Sequence, residues 1–369
     1  MVPLSKNSEK FLKIDDIVRC AEKLREKSFY PQSLKLFKKA LKGYTRISDL
    51  NGMFRCLYSL GDTYRMIGNF DLAAKSYIHS IEVAKKNKDA VNIADALIGL
   101  GLSLRAQGKW KEALNLIHKS KKTYQKENDK DGIAFALWAE GGSLRIKGDI
   151  RRAINTFKES YKMFKSIKDV SGMGYCLCGL GGTSRVAGKF RDSFNYYSSA
   201  NKVFSDNKDI FGKAYSYCGI GNAYRMLKDY KNALANFAKA VRLYKKIGDI
   251  VSYSYTIWSL AMTHIMIGNY RKAHDYLNAA LRLFKRTKDH RGIIYCRLGL
   301  CELAILKDKG AVAKMHLLKS LHESTKYGFA VEKCHASSLL SFINGGGINR
   351  CYNRLGLRLE FQGLPFNIP

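Results

Sequence analysis

Small, bulky and small side chains recur along the chain at helical spacing. Small residues stand at Ala73, Ala113, Ala153, Ser193, Ala233 and Ala273. Four places on comes a bulky apolar one, at Tyr77, Ile117, Phe157, Tyr197, Phe237 and Leu277. Three further, a small residue returns at Ser80, Ser120, Ser160, Ala200, Ala240 and Ala280. Steps of three and four keep all of these on one helix face, where small residues let a neighbouring helix approach closely. Ahead of five of these six helices stands a glycine, at Gly68, Gly108, Gly148, Gly188 and Gly268. Two residues later comes a large apolar side chain, at Phe70, Trp110, Ile150, Phe190 and Tyr270, with Tyr230 in the same place. A left-handed glycine followed by an apolar residue that folds back stops a helix. The pattern predicts a helix, a glycine turn and a second helix.

The units join at aspartates. Asp49, Asp89, Asp129, Asp169, Asp209, Asp249 and Asp289 lie forty residues apart, each before an apolar helical pattern. A helix start needs an acceptor for its first free N–H groups, so these residues are predicted N-caps. The lysines before them, as in "KKNKD" and "KRTKD", would sit near the negative end of the preceding helix dipole. A sustained period of this length indicates an all-α repeat solenoid.

Within that frame the pair Leu60-Gly61, then Tyr64, Ala73 and Tyr77, resembles the tetratricopeptide repeat (TPR). The resemblance recurs in "IGNAYRMLKDYKNALANF", and more weakly elsewhere, over roughly residues 15–325. The period is forty residues against the usual span of about thirty-four, and aspartate replaces the closing proline. This is similar to the long-helix variety found in kinesin light chain, Pins-type adaptors and bacterial Rap-type regulators. HEAT-like repeats share the period without this register, and stay as a minor alternative. The resemblance implies a right-handed α–α superhelix of about eight helix-turn-helix units. Their expected bounds are about 9–48, 49–88, 89–128, 129–168, 169–208, 209–248, 249–288 and 289–328. A capping helix at 329–343 would close a single solenoid running from 9 to 343, leaving a tail at 344–369. The first unit is degenerate, with Arg25, Tyr30, Ser33 and Phe37 in place but no glycine; the eighth keeps Leu300 but loses the turn.

Composition narrows the chemistry. No apolar run approaches a membrane span, and the start lacks a signal-peptide core, so a cytoplasmic protein is expected. Nine cysteines show no metal-ligand spacing. Cys56, Cys218, Cys296 and Cys301 fall inside predicted helices, and Cys176 and Cys178 on different helix sides, so buried reduced thiols are expected instead of a disulfide framework. The eight histidines include no HExxH, and His264, in the place of the motif tyrosine, reads as structural. "GLGGTSR" at 179–185 and "GGGINR" at 345–350 neither follow a strand nor supply a P-loop lysine. No enzyme, no cofactor, no metal and no catalytic residue are expected.

A net charge of +33 speaks to partners and not to fold. One part of it is ordered: Arg65, Arg105, Arg145, Arg185 and Arg225 follow the motif tyrosine position at forty-residue intervals. In the family this resembles, that position points into the concave groove. The same stripe carries Tyr58, Trp138, Trp258 and Asn222, and its edge Tyr175, Tyr215 and Tyr255. The arginines serve either as a ligand-facing ladder or as bridges between repeats, with Asp62, Asp95 and Glu140 available for pairing. Helix spacing puts successive rungs on the order of 10 Å apart, matching about three residues of extended chain. Spacing alone fits an acidic segment and a phosphate strand equally.

Two functions follow. One is a protein-interaction scaffold binding an extended acidic peptide or partner segment in the groove, with self-association open. The other is a basic protein associated with RNA, other nucleic acid or the ribosome, driven by charge and stacking. The tail, alternating around Leu355, Leu357 and Leu359, is expected to fold back as a cap or enter the groove.

Overall fold

The computed structural model describes residues 6–27, 29–347, 350–359, 361 and 363–369. Residues 1–5, Ser28 and tail positions 348, 349, 360 and 362 lie outside the described set, including the start read above for a leader. The described chain is helical in pairs. These are α1 (Lys6–Glu26) with α2 (Tyr30–Arg46), α3 (Leu50–Met66) with α4 (Phe70–Lys86), and α5 (Ala90–Ala106) with α6 (Trp110–Lys126). Next come α7 (Lys130–Lys147) with α8 (Ile150–Ser166), and α9 (Val170–Val186) with α10 (Phe190–Asp206). Then follow α11 (Ile210–Met226) with α12 (Tyr230–Ile247), α13 (Ile250–Met266) with α14 (Tyr270–Thr287), and α15 (His290–Ile305) with α16 (Gly310–Tyr327). After these pairs stand α17 (Ala330–Ile343) and the short α18 (Arg350–Arg354). Each helix packs antiparallel on the next, as a TPR solenoid requires. Among the described residues no helix is long and apolar enough to cross a membrane.

All seven aspartates cap the helix that follows. Each carboxylate accepts from a backbone N–H two or three residues on, at 3.1 Å from Asn51 and 2.8 Å from Gly212, for example. Turns inside the units put Gly68, Gly108, Gly148, Gly188 and Gly268 at φ between 76 and 93°. Lys228 takes the same left-handed place at φ 65° without being glycine.

The core is built from aromatic rings seated on glycines. A Cβ on Gly61 would stand 2.7 Å from the Tyr77 ring, and one on Gly99, in the next unit, 2.3 Å. Phe157 fits between Gly141 and Gly179 in the same way, and Tyr197 between Gly181 and Gly219. Ala73, Ala113, Ala153, Ala233 and Ala273 beside them are fully buried. Ser120 and Ser160 donate to the carbonyls of Ala94 and Ala134 at 2.8 and 2.7 Å, tying second helix to first. A further aromatic series, outside the sequence pattern read above, closes the joins between units. Tyr44, Tyr124, Phe164, Phe204 and Phe284 cover Gly52, Gly132, Gly172, Gly212 and Gly292.

The superhelix returns onto itself. Trp110 Nε1 donates to the Tyr327 carbonyl at 2.9 Å, Lys288 meets Asp71 at 2.6 Å, and Tyr30 shares a buried cluster with Tyr244 and Ile247. Early turns therefore abut late helix ends, and first helices of neighbouring units pack on one another, as α9 on α11 and α13 on α15. The tail closes this assembly. Tyr352 is buried with its hydroxyl 2.8 Å from His335 Nδ1. Leu357 and Leu359 join Ile150, Val186 and Ala187, while Arg358 N donates to the Ala187 carbonyl at 3.1 Å. One expectation needs correcting: the cysteines are not all reduced thiols, because a disulfide joins Cys334 of α17 to Cys351 of α18. The two thiols come together only because the tail folds back, which no local spacing encodes.

Candidate functional site: an arginine ladder on the inner helices

Five first helices, α3, α5, α7, α9 and α11, each carry one arginine in their last turn. The rungs share a position but not a set of partners. At the N-terminal end Arg65 meets Asp62 at 3.3 Å, and Arg25, in register before it, pairs with Glu22 at 2.8 Å and lies 3.9 Å from Asp62. Burial disfavours charge on Arg65, but Tyr77 and Asp62 outweigh it and raise its pKa. Arg105 donates to the Ala139 carbonyl at 3.3 Å and lies over the Trp138 ring at 5.7 Å. Burial lowers its pKa to about 10, helped by the cations Arg145 and Arg65.

The middle rungs have the fewest partners. Arg145 rests its Nη1 where a Cβ on Gly182 would stand 2.3 Å away, and its buried Nε has no hydrogen-bond partner. Arg185 leaves both Nε and Nη1 buried and unpartnered. Of the five, among the described residues, only Arg65 has a carboxylate partner. Asp95 instead accepts from the Tyr124 hydroxyl at 2.6 Å, and Glu140 takes Lys121 at 2.7 Å and His118 at 3.1 Å. These two carboxylates therefore hold second helices and leave the ladder alone.

Arg225 closes the series, fully buried. It lies over Trp258 at 5.6 Å, its Nη1 donates to Asn367 Oδ1, and Nη2 donates to the Ile368 carbonyl at 2.8 Å and to Asn222 Oδ1 at 3.3 Å. Burial, then neighbouring Arg185, lowers its pKa to about 9, so it stays charged at pH 7. Opposite stands Glu302 of α15, fully buried, whose Oε2 accepts from the Phe366 amide at 2.9 Å. Burial pushes its carboxyl well above the usual range. Glu302 was missed in the sequence, although it stands 240 residues, six periods, from Asp62 and 80 residues from Asn222, in the same register.

The aromatic stripe is already engaged. Tyr58 stacks on Phe54 and meets Tyr77 edge-on, and Tyr215 stacks on Phe211. Tyr175 and Tyr255 donate to the cap residues Asp209 and Asp289 at 2.7 and 2.9 Å. Trp138 and Trp258 donate to the carbonyls of Tyr175 and Tyr295 in the next units. Asn222 donates to the Cys218 carbonyl at 3.1 Å and is buried. Tyr175, Tyr255, Trp138 and Trp258 thus bridge repeats, while the stacking of Tyr58 and Tyr215 and the Asn222 hydrogen bond stay within their own units. His264, buried and stacked on Tyr276, has the structural place expected of it.

A family model described as Tetratricopeptide repeat matches residues 21–86, 92–166 and 212–286, more than half of the chain. Among solved structures, a Rap protein complexed with Competence and Sporulation Factor is similar at TM-score 0.65 and 13% identity, covering 93% of this chain and 96% of that one. The Rap conjugation gene regulator of plasmid pLS20, in complex with the Phr* peptide, gives 0.66 and 14%, covering 78% of each chain. NprR in complex with its cognate peptide NprX gives 0.57 and 15%, covering 93% and 99%. No curated protein sequence matches. At these identities the likeness is one of fold.

Proposed function

The chain belongs to the tetratricopeptide repeat family, and from that premise we propose that it is a scaffold, without catalysis of its own, holding an extended acidic segment of a partner protein against Arg105, Arg145 and Arg185. One observation carries this reading: Arg145 and Arg185 keep buried guanidinium nitrogens without hydrogen-bond partners, on adjacent units, and among the described residues neither meets a carboxylate. Unpaired neighbouring cations repel, and a bound carboxylate relieves both the repulsion and the lost hydrogen bonds. Two relatives in fold are complexed with peptides, Phr* and NprX, which supports extended chain as the ligand class. Other positive charges, as at Lys158 and Lys162, lie on exposed second-helix faces.

The test is fluorescence anisotropy with a labelled peptide bearing glutamate at every third position. Arg145→Glu with Arg185→Glu should weaken binding by about a hundredfold or more, since charge-assisted hydrogen bonds contribute about 1.5–3 kcal/mol each. Lys158→Glu with Lys162→Glu should leave it within about threefold, the order of an exposed charge pair. Equal losses from the two pairs would defeat the reading. So would preferential binding of a single-stranded RNA probe with a steep salt dependence.

A further inference from the structure

Beyond α18 the chain does not stop at the solenoid's end. After pairing with Ala187 through Arg358, it turns inward and ends beside α11, α13 and α15. Phe366 and Ile368 are fully buried in the cluster containing Trp258, Ala261 and Ala304, with Phe366 5.7 Å from Phe342 and 4.7 Å from Phe361. Between them Asn367 faces the other way. Its Oδ1 accepts from Arg225 Nη1, and its Nδ2 donates to the Arg225 carbonyl at 3.0 Å. The flanking backbone is held as well, at Phe366 N by Glu302 and at the Ile368 carbonyl by Arg225. Ile368 N also donates to the Phe366 carbonyl at 2.8 Å, so the backbone makes a tight three-residue turn that aims the Asn367 amide at Arg225.

A terminal cap would need only apolar cover, which α17 supplies on the last repeat. Here two buried ionisable side chains hold one short segment, and one of them is a rung of the ladder. We propose that Arg225 and Glu302 form a second groove subsite, specific for an apolar–asparagine–apolar turn, and that residues 366–368 occupy it in the resting chain. A partner segment lying along the whole groove must displace them. This rests on the reading that the groove binds extended chain, and it adds a neutral subsite beside the acidic-binding arginines. It also makes the chain its own competitor: apparent affinity at this end falls by the fraction of time the site is vacant.

The direct test uses a fluorescein-labelled nonapeptide of residues 361–369, FQGLPFNIP, titrated into the full chain. Phe366→Ala with Asn367→Ala should bind it at least about tenfold more tightly than the unaltered chain, as emptying a site filled about nine-tenths of the time requires. Adding Arg225→Gln should remove that gain, and a probe with leucine in place of its asparagine should bind neither chain. Equal affinity for both chains, or indifference to Arg225→Gln, overturns the proposal. Hydrogen exchange on the unaltered chain gives a reading that survives a variant's failure to fold. The Phe366 amide should exchange at least about tenfold faster than the slowest α13 amides, by local opening. Exchange only with global unfolding would make the segment a fixed part of the core and sink the idea. The probe carries no acidic residue, so failure here leaves the Arg145 and Arg185 reading standing, and the reverse holds too.

Discussion

Arg225 and Asn367 are hydrogen-bonded in both directions: the guanidinium donates to the amide oxygen, and the amide nitrogen donates back to the main-chain carbonyl of Arg225. The pair joins positions 142 residues apart and ties the end of the tail to α11. Truncating the amide leaves the buried Arg225 Nη1 without its acceptor, while the Arg225 carbonyl keeps the Lys228 amide at 3.1 Å. Asn367→Ala should therefore cost about 1–3 kcal/mol, read as a lower urea midpoint at unchanged slope. Asn353→Ala, on the exposed side of α18, should stay within about 0.5 kcal/mol. Equal effects would mean that the Arg225 contact contributes nothing to stability.

Two glycines three residues apart on α9 should respond oppositely to alanine. A Cβ on Gly179 would stand 2.4 Å from the Phe157 ring, which is locked between two helices. Gly179→Ala is expected to cost about 1–3 kcal/mol through overpacking. At Gly182 the nearest atoms are the ends of flexible or polar side chains, Arg145 Nη1 at 2.3 Å and the Tyr197 hydroxyl at 3.0 Å. Arg145 can swing away, and alanine gains about 0.5–1 kcal/mol of helix propensity. Gly182→Ala should melt within a few degrees of the parent chain while changing anion affinity, because it moves the Arg145 guanidinium off its notch. Circular dichroism melts of both variants decide the point.

Free thiols can be counted. Cys20, Cys56, Cys176, Cys178, Cys218, Cys296 and Cys301 are unpaired, whereas Cys334 and Cys351 are joined. Alkylation in denaturant without reductant should add seven groups by mass, and nine after reduction. Nine additions in both conditions would return the chain to the all-thiol state. Closing a loop of this length contributes on the order of 3 kcal/mol in the chain-entropy account. Reduction should therefore loosen α18 and the segment beyond it before the central helices.

What was legible in the sequence was local and repeated. The aspartate caps, the glycine turns and the Ala73–Tyr77–Ser80 face each follow from chemistry within a few residues, and six or seven copies separate signal from chance. The left-handed Lys228 was less visible, because its unit lacks the glycine that marks the turn elsewhere. The seating of Tyr44 on Gly52 spans the join between two units, so a reading confined to single helices passed over it. The contact of Trp110 with Tyr327 depends on the small rotation accumulated over many units, which no local pattern states. Residues 364–369 carry no repeat register at all, and their place beside Arg225 had to come from the folded chain. Glu302 shows the intermediate case: its register with Asp62 was present in the sequence, but its partner was not.

The last prediction concerns acid. His335 is fully buried on α17, with Glu332 on its own helix, Arg291 and Tyr295 on α15, and Tyr352 of the tail around it. Burial, opposed by Glu332 and assisted by Arg291, lowers its pKa to about 4 from an ordinary 6.5. Between those values the unfolded chain binds a proton that the folded chain refuses, so folding is penalised as acidity rises. The stability linked to this group is fully present above about pH 6.5 and is lost as pH falls toward 4. The whole window amounts to about 3 kcal/mol at 1.36 kcal/mol per unit. His335→Gln keeps a polar group beside the Tyr352 hydroxyl and does not titrate. Urea unfolding at pH 7.5 and pH 4.5 should show the parent chain losing about 2–3 kcal/mol more than the variant over that interval. Parallel losses in the two chains would show that His335 is protonated in the fold and that acid acts elsewhere.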